Sequence, residues 1–160
     1  MAETRSPEEI YGGLRSMALS VRPEPIGADV GPDEPYVAVM DFTVGEYYAS
    51  VVSVIDGSAS LYFSNGGGNI GGGQHESIRT AAREMIAESA LQMEVMNPVR
   101  QFPLPGPDMV TFYVVTPDGI YSAVDEEDRL GHGRSPLSPL FFAAHKVISE
   151  YRLLSKKGNG

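Results

Sequence analysis

Residues 36–64 read YVAVMDFTVGEYYASVVSVIDGSASLYFS, and they spell three strands separated by two tight turns. β-branched and aromatic residues fill Tyr36–Phe42, Tyr47–Ile55 and Ala59–Ser64, the composition that suits a pleated, half-buried surface. Val44-Gly45-Glu46 turns the chain between the first two, and Asp56-Gly57 is a strong hairpin signal between the second and third. Connections this short join antiparallel neighbours, so the segment is a meander. The pattern returns downstream, where Val110–Thr116, the turn Pro117-Asp118-Gly119 and Ile120–Val124 predict a second hairpin.

Helices surround these strands. Ser6, Pro7 and Glu9 form a capping box with proline at the first helical position. Ile10, Leu14 and Met17, with Ala18 beside them, recur at helical spacing and predict the buried stripe of that helix. Pro23 and Pro25 end it, and residues 22–35 form a Pro-rich loop. A second helix is expected over His75–Met93, with Ile78, Ala82, Met85, Ile86 and Met93 inward. Ser138 with Pro139 opens a third, to Leu154, on a stripe that includes Leu140, Ala144, Val147, Ile148 and Tyr151. The ends, residues 1–5 and 156–160, read as frayed.

The expected fold is therefore α+β: one domain over residues 1–160, in the order α-βββ-α-ββ-α, with a single antiparallel sheet of about five strands and helices packed on it. Phe63, Phe112, Val114, Ile78, Met85, Leu140 and Ile148 are its expected core. This order resembles that of the type III secretion chaperones and related two-layer folds, which are also small, acidic and usually dimeric. A roadblock-like or other profilin-like sheet is the next choice and would place two strands before the central helix and three after.

Composition excludes several functions. The chain has 12 Lys and Arg against 21 Asp and Glu, a net charge of −9, and its only basic cluster, Lys156–Lys157 in the frayed tail, is too small to hold a nucleic-acid backbone or an anionic membrane. With no Cys there is no disulfide, thiolate metal site or Cys nucleophile. No apolar run is long enough to span a bilayer, and the polar start MAETRSPEEI is unlike a signal peptide, so a cytoplasmic location is expected.

Residues 66–73, GGGNIGGG, lie between a strand and a helix. The Gly66-x-Gly68-x-x-Gly71 spacing is that of a phosphate-cradling turn, and Gly66, Gly68, Gly71, Gly72, Gly73 and His75 are the candidate anion site. The preceding strand comes from a hairpin, no acidic residue ends a strand about twenty residues on, and no Lys-Ser/Thr follows the glycines. Rossmann and Walker readings both fail on these grounds, leaving a tight glycine connection as the plain alternative. His132 and His145 stand apart from His75 without metal-ligand spacing, and Asp125-Glu126-Glu127-Asp128 lacks the alternation of a calcium loop, so no metal, cofactor or catalytic set is assigned. His145 is expected to be a half-buried packing residue and the four acids a solvated turn.

Strand alternation sets Tyr62 against Leu61 and Phe63, and Tyr113 against Phe112 and Val114. If Phe63, Phe112 and Ile120 face the helices, then Tyr62, Tyr113 and Tyr121, with Tyr48 and Val52, occupy the opposite face. Tyrosine suits interfaces, so these three are the expected contact of a homodimer, unless a helix covers them. Two functions follow. One is a non-enzymatic protein-binding domain of the chaperone or adaptor kind, a homodimer that binds itself or also another protein. The other is a small-ligand or anion sensor using the Gly66–Gly73 backbone. They differ in what they require: a buried tyrosine face, or free amides at the glycines.

Overall fold

The computed structural model describes residues 6–24, 29–70 and 75–158. Residues 1–5, 25–28, 71–74 and 159–160 lie outside them, and with them Pro25 of the Pro-rich loop, Gly71, Gly72 and Gly73 of the candidate anion site and part of the frayed ends.

Helix α1 spans Pro7–Leu19, and its capping is as the sequence dictates: the Ser6 hydroxyl accepts the Glu9 N–H at 3.1 Å, with proline at the helix start. Strands β1 (Val37–Val44), β2 (Tyr47–Val54) and β3 (Ala59–Phe63) form the meander, followed by a short β4 (Gly68–Ile70). Helix α2 spans Glu76–Gln92, and β5 (Asn97–Val99) lies beyond it. β6 (Met109–Thr116) and β7 (Gly119–Glu126) make the second hairpin, and α3 (Glu127–Gly131) and α4 (Ser138–Gly158) complete the order.

The fold is α+β with one antiparallel sheet, ordered β4-β3-β2-β1-β6-β7-β5. The sheet has seven strands rather than about five, because the three-residue β4 and β5 pair along its two edges. Short edge strands of this kind, one of them containing Pro98, limit further pairing. The acidic run divides between the end of β7 and the start of α3, so it is not a free turn. α4 continues to Gly158, past the expected start of the frayed tail.

Register sorts the side chains onto two faces. Met40, Val51, Leu61 and Phe112 form one row beneath α2 and α4, in a core that also holds Ile78, Met85, Leu140 and Ile148. Of the seven expected core residues, six are buried and Phe63 is partly exposed at the sheet's end. Val37, Val39, Val52, Tyr62, Tyr113 and Val115 face the other way and meet Tyr11, Ala18 and Leu19 of α1. The helix supplies the cover for the tyrosine face that a second subunit was expected to supply.

Two side-chain placements differ from the sequence reading. Tyr121 lies beside Val114 on the α2–α4 face, not with Tyr113, and Ile120 lies on the α1 face. The reason is parity: the turn is the two residues Pro117-Asp118, closed by Thr116 opposite Gly119, and directly opposed residues share a face. In α1 the inward residues are Tyr11, Arg15, Ala18 and Leu19, whereas Ile10 and Met17 are 48% and 67% exposed. At 100° per residue the apolar arc of this helix is too wide to bury whole, and the sheet takes the side that carries Tyr11.

Candidate functional site

Beneath α1 the sheet carries a polar row in an apolar field: Ser50, Asp41 and Thr111 stand directly opposite one another on β2, β1 and β6, and all are buried. α1 reaches down to this row with two side chains one turn apart. Arg15 donates from Nε to Asp41 Oδ2 at 2.9 Å, and its Nη2 lies 2.7 Å from the same oxygen. Ser50 donates its proton to Asp41 Oδ1 at 2.5 Å, so the Tyr11 hydroxyl, 2.6 Å away, donates to Ser50. Arg15 Nη2 also donates to the Phe102 carbonyl at 2.8 Å and stands 5.4 Å above the Tyr113 ring, whose hydroxyl binds the Pro103 carbonyl. The network thus fastens α1 and the 102–103 loop to one face of the sheet.

Electrostatics follow from burial. Asp41 is fully buried, which pushes its carboxyl up, while Arg15 and Ser50 pull it back. Burial opposes the Arg15 charge, but the Asp41 hydrogen bond and charge outweigh it and raise its pKa. Burial and the Asp41 charge push Tyr11 up to about 12. The hydrogen bonds of Tyr11, Ser50, Asp41 and Arg15 run to one another and to the 102–103 carbonyls, and among the described residues no buried side-chain polar atom lacks a partner, which suits a structural task. A charged Asp in YVAVMDF and an Arg within an apolar helix were the two signals that could have revealed it.

Beside the network, at the β3–β4 end of α1, lies a cleft of about 190 Å³. Pro7, Ile10, Tyr11 and Leu14 form its helical wall, and Tyr62, Phe63, Gly66 and Gly67 its sheet wall. Gly66 has φ +106° and turns the chain from β3 into β4, with its N–H on the Phe63 carbonyl at 3.2 Å. Phe63 N–H returns to the Gly67 carbonyl at 2.9 Å, and Gly68 pairs with Tyr62. The first part of the glycine run is therefore a hairpin, where the spacing suggested a phosphate loop. His75 is the exposed N-cap residue of α2, and no hydrogen bond is made by its ring to that cap.

Tyr62 and Tyr113 lie on the α1 face, 8% and 1% exposed, and Tyr121 lies across the sheet from them. His145 is half-buried between the rings of Phe42 and Phe141, at 6.0 and 4.3 Å, and burial followed by the Arg152 charge lowers its pKa. His132 caps α3 and sits 3.3 Å from an Asp128 carboxylate oxygen, in an open pocket with Asp108, Glu127 and Phe141. Among the described residues no group of His, Asp and Glu has a metal-binding arrangement, and no helix is long and apolar enough to cross a membrane.

The outer side of α1 has a different chemistry. Ile10 and Met17 project from it, with Leu14 partly exposed between them, and the stripe opens directly into the cleft. No family model, curated protein or solved structure matches the chain.

Proposed function

We propose that the chain is a non-enzymatic protein-binding domain of the adaptor or chaperone-like kind, and that it binds through the outer stripe of α1 and the adjoining cleft. One observation carries this reading: Ile10 and Met17 project uncovered from α1, and Leu14, half-buried against the sheet, joins them to the cleft. An apolar ridge continuous with a small cleft lined by Tyr62 and Phe63 is suited to accept anchor side chains from another polypeptide. The buried cluster beneath supports the same reading, because it holds α1 in one orientation and so presents the stripe as a fixed surface. The element order of the long strands, which resembles that of secretion chaperones, is compatible with it.

The test is an amide-shift titration of the labelled full chain with a helical peptide of leucine and lysine. Shifts confined to residues 7–17 and 62–67, and abolished by Ile10→Lys with Met17→Lys, are expected. A chain whose stripe and cleft amides stay unmoved at millimolar peptide has no such surface.

A further inference from the structure

We infer that Asn65, at the tip of the β3–β4 hairpin, is a site of spontaneous deamidation whose product remodels the sheet wall of the cleft. Asparagine is among the thermolabile residues. Here Asn65 and Gly66 are both exposed, and Gly66 has no side chain to shield its nitrogen. The step needs water alone. The Gly66 nitrogen gives up its proton to solvent and bonds to Asn65 Cγ. The Cγ–Nδ2 bond then breaks, and ammonia leaves with a proton taken from solvent. Water opens the resulting cyclic imide at one carbonyl or the other, giving aspartate or isoaspartate.

Two features of the turn favour this step. Asn65 Oδ1 accepts the Gly67 N–H at 3.4 Å, so the side chain is folded over the residues that follow it, which turns Cγ toward the Gly66 nitrogen. The same N–H faces the oxygen on which negative charge grows as the new bond forms. One feature opposes the step: the Gly66 N–H donates to the Phe63 carbonyl. That bond, at 3.2 Å, is longer than the 2.9 Å bonds of Phe63 N–H to Gly67 and Ser64 N–H to Tyr48. It also closes onto a three-residue edge strand, where local opening costs least.

The position gives the change a consequence. Gly66 and Gly67 belong to the cleft's sheet wall, next to Tyr62 and Phe63. Isoaspartate adds a methylene to the main chain before Gly66 and sets a carboxylate beside it. The hairpin holds the Phe63 N–H on the Gly67 carbonyl and Gly68 opposite Tyr62, a register that an extra main-chain atom breaks. β4 then shifts or detaches, and the cleft changes shape. The other asparagines lack this combination. Asn69 precedes isoleucine, a residue type whose branched side chain crowds its own nitrogen, and Asn97 precedes Pro98, which has no N–H. Asn159 precedes Gly160, outside the described residues.

Mass spectrometry of the folded full chain, held in mildly alkaline buffer at body temperature, tests this against a peptide of residues 60–70. Asn65 should convert in the chain at a rate within about tenfold of that in the peptide, while Asn69 and Asn97 stay intact. An isoaspartyl methyltransferase should label the product. Asn65→Gln, whose longer side chain would have to close a larger ring, should abolish the label at this turn, and Asn159→Gln should leave it. In the converted chain the amides of Tyr62 and Gly67 should shift. A folded chain that converts more than tenfold slower than the peptide shows that the Gly66 hydrogen bond protects the turn, and the inference fails. Conversion that leaves the Tyr62 and Gly67 amides unmoved overturns the remodelling of the cleft. Neither result depends on whether the cleft binds a polypeptide, because no partner enters the measurement.

Discussion

Arg15 and Asp41 meet 2.7 Å apart between α1 and the centre of the sheet, with the Asp41 side chain wholly removed from water. Such a pair is not itself a large source of stability, since desolvation offsets most of its attraction. Its asymmetry is what matters. Arg15→Ala leaves a carboxylate buried without its counter-charge, and the expected loss is about 3–5 kcal/mol in urea denaturation. The paired change Arg15→Met with Asp41→Leu should recover most of that loss. Equal loss in the single and double variants would mean that shape, not charge, sets the cost.

Tyr11 gives a signature at high pH. Its folded pKa, about 12, lies above the ordinary 10.0, so its contribution is complete below pH 10 and is lost as pH rises toward about 12. Burial also raises Tyr36 and Tyr113. Tyr11→Phe should therefore flatten part of the alkaline fall in stability, not all of it. At neutral pH the same change removes one hydrogen bond to Ser50 and should cost about 1 kcal/mol. An alkaline profile that does not change would show that Tyr11 ionises freely.

His145 acts at the acid end. Its folded pKa lies below the ordinary 6.5, so its support is present above pH 6.5 and is lost as pH falls through the folded value. The unfolded chain takes up the proton first. His145→Leu keeps the apolar contact with Phe42 and Phe141 and should flatten the fall of the urea midpoint as pH drops below about 6.5. A variant as acid-sensitive as the parent would place the titration elsewhere.

Phe112 is fully buried in the row with Met40 and Val51, and Phe112→Ala should cost about 3–5 kcal/mol. That strand could be oriented from sequence because Phe112 and Val114 alternate with Tyr113 in an unbroken run. The strands, their hairpins and most of the α2–α4 core were legible for the same reason: period-two and helical patterns are local. Tyr121 was misplaced because alternation within a strand does not say which face its neighbour shares; the turn length does, and Pro117-Asp118 sets it. The α1 stripe was misread because its apolar arc admits two phases. What chose between them is Arg15 meeting Asp41, a contact 26 positions apart that no local pattern contains. The short edge strands were illegible because three residues carry no period.

Two glycines of α1 weaken the helix with no packing reason inside the chain. Gly12 and Gly13 lie in the helix interior with open space where a Cβ would go. Glycine at such positions costs about 1 kcal/mol relative to alanine, through the greater freedom of the unfolded chain. Gly13→Ala should therefore raise the stability of the monomer by about that amount, read from the urea midpoint at low micromolar concentration. A variant no more stable than the parent would show that Gly13 answers to a neighbour outside the chain's own packing.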